Sequence, residues 1–170
     1  MLLRFGVLTI SDRSARGERP DATGPALIEK IKAQDWQVFQ EDIVPDDFHT
    51  LQEILKKWAD SGDLDVILTT GGTGFSPRDV TPEATETVIE RRAPGLAEAM
   101  RSASLKLTPH AMLSRAVAGI RGRTLILNLP GSTKGAIENL EVVLAVLPHA
   151  VQLLQEEPQA EAGHLFKKGT

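Results

Sequence analysis

The chain has 170 residues, a length that fits one domain and allows a sizeable buried core. Hydrophobic residues make up 41% of it and charged residues 25%, and the formal net charge of −4 gives no basic footprint for nucleic acid or an anionic membrane. The sequence contains no cysteine, which excludes disulfides, thiolate metal sites and cysteine nucleophiles.

The sequence shows no targeting or membrane pattern. Its apolar runs are short and interrupted by charged residues, so no transmembrane segment is predicted. Residues 1–8 run directly into a strand-like pattern and lack the layout of a signal peptide. We therefore expect a cytoplasmic protein.

Strand and helix patterns alternate through the first third of the chain. Residues 3–11 are rich in β-forming side chains and predict a strand, and residues 24–34 predict a helix with an apolar face. Residues 37–44 alternate in character and predict a more exposed strand near a sheet edge. Residues 50–61 predict a second helix.

Polar residues follow both strands at their carboxyl ends, where open α/β sheets bind ligands. Ser11 and Asp12 follow the first strand, and Asp46 and Asp47 follow the second. Asp12 is either a binding residue or an ion-pair partner of the arginines in the polar loop at 13–22. On local evidence, Asp46 or Asp47 is the N-cap of the next helix, because an Asp there accepts a hydrogen bond from the first turn.

The chain centres on a glycine-rich loop between a strand and a helix. Residues 65–68 predict a buried parallel strand, and residues 82–92 predict a helix with Thr81 as N-cap and Pro82 in the first position. The residues between them include glycines, hydroxyl residues, a cation and a carboxylate, among them Gly71, Gly72, Gly74, Thr70, Thr73, Ser76, Arg78 and Asp79.

This loop composition predicts a phosphate site. Glycines let the backbone approach a ligand closely, successive N–H groups can form an anion-binding concavity, and a helix N-terminus adds a favourable field. Asp79 would repel a phosphate unless a cation such as Mg²⁺ bridged the two groups. The alternative is a tight strand-to-helix turn without a ligand. The loop is neither a Walker A nor a GxGxxG motif, because no Gly-Lys-Ser/Thr closes it and the glycines are spaced differently.

The next segment predicts packing more than chemistry. Residues 95–105 predict a helix whose small apolar face packs against the domain or a partner subunit. His110 is interpreted as an ordinary loop residue, because no Ser or Cys with the context of a nucleophile lies nearby. Ser114 is a candidate substrate-binding residue, and Arg115 is either a phosphate ligand or a member of a structural ion pair.

The last third repeats the strand–glycine–helix arrangement. Strands at 116–120 and 124–129 with a short turn predict a hairpin, and therefore one antiparallel strand. Gly131 and Ser132 follow at the start of a helix at 134–145, a second place where the backbone can approach an anion.

The elements combine into one architecture. Residues 148–156 predict the last helix, and residues 157–170 predict a polar tail. The alternation predicts a three-layer αβα domain over residues 1–156, with a mostly parallel sheet and one antiparallel strand.

Several stretches resemble one family. Residues 69–74 and 77–83 read Thr-Thr-Gly-Gly-Thr-Gly and Pro-Arg-Asp-Val-Thr-Pro-Glu, which resembles the signature of the MogA/MoaB-type molybdopterin adenylyltransferases. Related molybdenum-insertion enzymes have a similar glycine loop without the second stretch. Val-Pro-Asp ending at Asp46, Leu-Ser-Arg ending at Arg115 and Asn-Leu-Pro-Gly ending at Gly131 also resemble the family, so the resemblance covers nearly the whole chain.

The resemblance implies a reaction and its residues. In this family AMP passes from Mg-ATP to the terminal phosphate of molybdopterin, which gives adenylyl-molybdopterin and pyrophosphate in molybdenum cofactor biosynthesis. The carboxylates that match Asp46 and Asp79 are associated with catalysis, and we expect both to bind Mg²⁺. Residues at the strand ends and in the two glycine turns are expected to bind substrate or phosphate, namely Ser11, Asp12, Thr70, Gly71, Gly72, Thr73, Gly74, Ser76, Arg78, Ser114, Gly131 and Ser132.

The resemblance also implies a homotrimer, with molybdopterin and ATP as substrates and the molybdenum-insertion enzyme as a candidate partner. A molybdenum and a tungsten pathway are equally compatible with it. Two alternatives stay open, namely a non-catalytic pterin-binding or scaffold module and a different nucleotide-dependent enzyme of the same fold. Asp46 and Asp79 argue against the binding module, because a pure binder has no need for two carboxylates beside a phosphate.

Overall fold

The computed structural model describes residues 1–156, and the predicted tail at 157–170 lies outside the described residues. The strands are β1 (Arg4–Ile10), β2 (Gln37–Val44), β3 (Val66–Thr70), β4 (Arg91–Arg92), β5 (Ala118–Arg121) and β6 (Thr124–Leu129). The α-helices are α1 (Asp12–Ala15), α2 (Thr23–Lys32), α3 (Phe48–Asp60), α4 (Thr81–Val88), α5 (Pro94–Leu105), α6 (Thr133–Val143) and α7 (Leu147–Leu154). Short 3₁₀ helices span Pro109–Leu113 and Leu144–Val146.

The strands form one sheet in the order β2-β1-β3-β6-β5-β4. β2, β1, β3 and β6 are parallel neighbours, whereas β5 is antiparallel to both β6 and β4. The β5–β6 hairpin turns at Gly122, whose φ is 54°. The predicted mostly parallel sheet with one antiparallel strand is confirmed for the described residues, and β2 lies at an edge as its pattern predicted.

Helices cover both faces of the sheet and complete the predicted three layers. α2, α5, α6 and α7 pack on one face, where Leu27, Leu140 and Leu147 are fully buried. α3 and α4 pack on the other face through Leu51 and Leu55, among others. Strands covered on both sides read as continuous apolar runs, and β3 and β6 are buried along their whole length. The carboxyl ends of β1, β2, β3 and β6 therefore meet at one edge of the sheet.

Two helix starts differ from their predictions. α4 begins at Thr81 and Val80 precedes it, so Thr81 is not the N-cap; its hydroxyl instead donates to the Gly71 carbonyl at 2.9 Å. The segment predicted as a loop after β1 begins with the short helix α1. Ser11 caps this helix, because its Oγ accepts the N–H of Ser14 at 3.2 Å.

The predicted helix at 82–92 is too long, because α4 ends at Val88. Arg91–Arg92 instead forms the edge strand β4, which pairs with β5. Pro94 disfavours a helical backbone in the residue before it, and pairing with β5 supplies the hydrogen bonds that a continued helix would have made.

Within residues 1–156, one helical stretch, Thr133–Leu154, is long and apolar enough by length and composition to span a membrane, with a mean hydropathy of 1.4 over an 18-residue window. The sequence analysis predicted no transmembrane segment, because charged residues interrupt the apolar runs. Ala136, Leu140, Val143, Leu147 and Val151 recur at helical spacing along it and pack into the core as one buried face. We interpret the stretch as a core helix of the domain, since its apolar face already packs against the sheet.

Candidate functional site

The two predicted glycine turns touch each other at the carboxyl edge of the sheet. Gly71 follows β3 with a φ of 103°, and a Cβ there would lie 2.2 Å from the carbonyl oxygen of Ile10. A Cβ on Gly131, which follows β6, would lie 3.2 Å from the Gly71 Cα. The hydroxyl of Thr70 ties the turns together by donating to the Pro130 carbonyl at 2.6 Å. Glycine is required here for close contact between backbone segments.

The next two glycines make room for carboxylates. A Cβ on Gly72 would lie 3.0 Å from Oδ1 of Asp46, and a Cβ on Gly74 would lie 3.0 Å from Oδ2 of Asp79. The sequence predicted that these glycines admit a ligand to the backbone. In the structure the missing side chains also leave room for Oγ1 of Thr81 beside Gly72 and for the two predicted catalytic carboxylates against the loop.

Asp46 belongs to a network that joins the ends of β1 and β2. The backbone N–H of Asp12 donates to Oδ2 of Asp46 at 3.0 Å, and the N–H of Asp46 donates to Oδ1 of Asp12 at 3.1 Å. Arg78 reaches across from the glycine loop and donates from Nε and Nη2 to the Asp12 carboxylate at 3.0 and 2.9 Å. Of the two caps that the sequence allowed for α3, Asp47 is the one observed, because its Oδ1 accepts the N–H of Thr50 at 2.8 Å.

The two carboxylates of this network have opposite electrostatic environments. Burial raises the pKa of the Asp46 carboxyl, and the negative charges of Asp12 and Asp79 raise it further against the effect of the Asp12 N–H. Hydrogen bonds from the Arg78 guanidinium hold the pKa of the Asp12 carboxyl below its usual value. The charge of Arg78 therefore stabilises the ionised form of Asp12. The ionised form of Asp46 is instead made unfavourable, chiefly by burial.

We expect Asp46→Asn to raise the melting temperature near pH 7. A raised pKa means that the folded state favours protonated Asp46, so this contribution to stability is fully present below the unfolded pKa and is lost as the pH rises through the folded pKa. Asparagine has the same shape and can still accept the Asp12 N–H, but it carries no charge. Thermal unfolding of both proteins between about pH 3 and 7 tests this, because the difference should vanish at the acidic end.

Asp12→Asn is the matched control with the opposite sign. The lowered pKa of Asp12 gives stability that is present above the unfolded pKa and lost as the pH falls through the folded pKa. This variant should therefore melt below the native protein near pH 7. If both variants shift the melting temperature in the same direction, the electrostatic description of this network is wrong.

Asp46 and Asp79 each retain an oxygen that is available for a ligand. Asp79 accepts the N–H of Ser76 at Oδ2 at 2.9 Å, and Asp46 accepts the Asp12 N–H at its own Oδ2. Within residues 1–156, neither Oδ1 has a hydrogen-bond donor. In the same range no three His, Cys, Asp or Glu side chains group as a ready-made metal site. A metal held by Asp46 and Asp79 would therefore need oxygen ligands from a substrate or from water.

Two cavities open beside the glycine loop. The first has a volume of about 230 Å³, and the predicted residues that line it are Ser11, Asp46, Thr70, Gly71, Gly72, Asp79 and Gly131. The second has a volume of about 270 Å³, and the predicted residues that line it are Thr73, Gly74, Ser114 and Ser132. The loop therefore lies between a polar, acidic cleft and a more apolar cavity.

Three predicted site residues line neither cavity but contact residues that do. Asp12 and Arg78 form the ion pair that leads to Asp46, and Ser76 holds Asp79 through its N–H. The hydroxyl of Ser76 accepts the Arg78 N–H at 3.3 Å. Their observed contacts are to protein groups, so their predicted role in phosphate binding would require some of these contacts to be exchanged.

Some cavity residues were absent from the predicted site. Asp21 lines the acidic cleft and accepts hydrogen bonds from the hydroxyl of Thr9 and the N–H groups of Thr23 and Gly24. An Asp just before a predicted helix was the available signal. Arg101 lines the second cavity and donates to the carbonyls of residues 114 and 116, although its charge suggested a solvated surface.

Known proteins resemble this chain over most of its length. The domain family described as "Probable molybdopterin binding domain" matches residues 6–149. The molybdopterin adenylyltransferase of Helicobacter pylori is 42% identical over 154 residues, which cover 89% of this chain and 88% of that protein. Gephyrin of Dictyostelium discoideum is 46% identical over 165 residues, which cover 91% of this chain but only 23% of gephyrin.

Among solved structures, the molybdopterin biosynthesis enzyme MoaB of Thermus thermophilus superposes with a TM-score of 0.86 at 54% identity, covering 92% of this chain and 99% of that one. The alignments thus extend over the sheet, the glycine turns and the two carboxylate positions rather than over one motif. On its sequence and its fold, the chain belongs to the MogA/MoaB-type molybdopterin adenylyltransferase family.

Proposed function

We propose that the protein transfers AMP from Mg-ATP to the terminal phosphate of molybdopterin. An oxygen of that phosphate attacks the α-phosphorus of ATP, a new P–O bond forms, the bond to the β-phosphate oxygen breaks, and pyrophosphate leaves. The observation that carries the proposal is the convergence of Asp46 and Asp79 on the glycine loop, each with one carboxylate oxygen free of a hydrogen-bond donor within the described residues.

The donor set fits Mg²⁺ as the metal. Asp46 and Asp79 offer hard carboxylate oxygens, and Mg²⁺ in phosphate-transfer sites is typically bound by one or two carboxylates together with substrate phosphates and water. The raised pKa of Asp46 also fits, since burial and the neighbouring carboxylates of Asp12 and Asp79 make its negative charge unfavourable unless a cation is bound. When bound, Mg²⁺ would supply charge neutralisation and Lewis-acid polarisation of the phosphates.

The remaining residues would position the reactants. The glycine loop and the turn at Gly131 place backbone groups at the mouth of the acidic cleft, and Ser132 opens α6 with its Oγ accepting the N–H of Gly135 at 3.2 Å. Phosphate transfer of this type needs mainly positioning and neutralisation of charge, and little covalent help from the protein. This suits a chain that has no cysteine.

The second cavity suits a flat heterocycle. Leu107, Ala111 and Leu113 supply apolar walls, and Asn139 and Glu138 supply polar groups. Adenine and the pterin share this chemistry, with planar rings and hydrogen-bonding edges. We propose that one of the two rings binds here while the phosphates reach the acidic cleft on the other side of the loop.

Pyrophosphate release tests the proposal. Purified protein with ATP, molybdopterin and Mg²⁺ should release pyrophosphate, and omission of molybdopterin or addition of a chelator should stop the release. A protein that binds molybdopterin tightly but makes no pyrophosphate would be a pterin-binding or scaffold module. ATP turnover that needs no pterin would indicate a different nucleotide-dependent enzyme.

We further propose a cytoplasmic homotrimer, with the molybdenum-insertion enzyme as a partner. Four large apolar side chains are more than 40% exposed between the last residue of α5 and residue 113, namely Leu105, Leu107, Met112 and Leu113. Exposed apolar side chains this close together in the sequence support self-association, and Leu107 and Leu113 among them also line the second cavity. Light scattering of the purified protein should give three times the chain mass of 18.4 kDa, and a monomer would contradict this proposal.

A further inference from the structure

Arg115 tethers the glycine loop at both of its ends. Its backbone N–H donates to the carbonyl of Thr73 at 2.9 Å, and its Nε donates to the carbonyl of Gly74 at 2.7 Å. On the far side of the loop, its Nη2 donates to the backbone carbonyl of Asp79 at 2.7 Å, and its Nη1 pairs with Glu83. One residue therefore joins the glycine side of the loop to the segment that carries the Asp79 carboxylate.

Besides Arg115, the ion pair between Arg78 and Asp12 joins the loop to the rest of the domain, and this pair is made by exposed side-chain atoms. Phe75 is 68% exposed, and the residues from Phe75 to Arg78 are all exposed. Inside the loop, a turn is closed by the bonds between Ser76 and Asp79. This turn shapes the loop locally, but it does not fix the loop relative to the rest of the domain.

The chemistry of arginine matches this task. The guanidinium is planar and presents its donors in a fixed fork, and here the fork meets two backbone carbonyls and a carboxylate. A lysine would bring the same charge but could not reach all three acceptors in one geometry. Because these donors are already engaged, the alternative that Arg115 is a phosphate ligand is disfavoured.

We propose that Arg115 is a positioning residue that holds Asp79 in place relative to the glycine loop. The residue acts through the backbone of Asp79 and does not touch the reacting atoms. The effect on turnover rests on the proposed function, whereas the effect on loop order does not. The two effects are therefore measured separately.

The first measurement is hydrogen exchange of the backbone amides across residues 73–83. In Arg115→Ala we expect these amides to exchange faster by a factor on the order of ten, because hydrogen bonds from a charged donor at both ends of the loop are lost. The matched control is Arg121→Ala, which removes a comparable fork that donates to Asp60 and to the carbonyl of Val88 at the other end of the sheet. The control should leave exchange in the loop unchanged.

The second measurement is steady-state kinetics at a temperature where every variant is folded. Displacement of a catalytic group by about 1 Å costs on the order of 100-fold in rate, so Arg115→Ala should lose kcat by about that factor with a smaller change in the KM for ATP. Arg115→Lys should recover only part of the loss, and it replaces the alanine variant in both measurements if that variant fails to fold. Arg121→Ala should keep the native kcat.

The outcomes separate the two proposals. Unchanged exchange in the loop of Arg115→Ala overturns the positioning role, and so does a large rise in the KM for ATP with a native kcat, which would mark a direct phosphate ligand. Native protein without any turnover would count against the proposed function, while the exchange measurement would still decide the role of Arg115.

Discussion

Asp79→Asn is expected to lower turnover by a factor on the order of 10³, the usual cost of losing one preorganised electrostatic group. The Asp79 carboxylate lies against Gly74 and accepts the Ser76 N–H, and its other oxygen faces no donor within residues 1–156. Asparagine keeps the shape and can keep the bond to Ser76, so the variant removes charge and little else. Turnover should therefore fall much more than the affinity for molybdopterin.

Asp47→Asn is the matched control for this experiment. Asp47 lies next to Asp46 in the sequence, but it caps α3 through Thr50, and asparagine is an equally good N-cap. This variant should keep native turnover. Pyrophosphate release by Asp79→Asn within a few-fold of the native rate would contradict the assignment of Asp79.

Gly71→Ala should destabilise the fold by about 3 kcal/mol, which combines backbone strain with overpacking. Gly71 has a φ of 103°, and its added Cβ would lie 2.2 Å from the backbone oxygen of Ile10, which cannot move without disturbing β1. In a chain of this length, such a loss lowers the melting temperature by roughly 6–12 °C. Thermal unfolding checks this value directly.

Gly122→Ala separates strain from crowding. Gly122 also has a positive φ, of 54°, but nothing lies within 4 Å of an added Cβ. Its substitution should cost about 1 kcal/mol from strain alone. If both variants lost the same free energy of unfolding, crowding of the added Cβ against the Ile10 carbonyl would contribute nothing to the loss in Gly71→Ala.

The main features of the fold could be predicted from local patterns. Alternating strand and helix signals gave the three layers, and the short turn around Gly122 gave the antiparallel strand. Arg91–Arg92 was predicted as helix because a strand of two residues has no periodicity of its own and depends on pairing with β5. Helix α1 was missed for a similar reason, since four residues hold too little pattern.

The sequence indicated which residues form the candidate site, but it did not indicate most of the contacts between them. Strand ends and glycine turns indicated where Asp46 and Asp79 would lie, because carboxyl ends of parallel strands meet at one edge. The sequence did not predict that Gly72 and Gly74 would make room for these two carboxylates. Nor did it predict the tether from Arg115, whose side-chain donors bond to acceptors 32 to 41 positions earlier in the chain. Contacts of this separation leave no periodic signal in the sequence.

The fate of the α-phosphorus of ATP tests the central claim most directly. Native protein would be incubated with molybdopterin, Mg²⁺ and ATP labelled at either the α- or the γ-phosphorus, and the pterin product would be separated from pyrophosphate. We predict that the α-label appears on the pterin and the γ-label in pyrophosphate. Transfer of the γ-label to the pterin with release of ADP, or no labelled pterin at all, would contradict an adenylyltransferase.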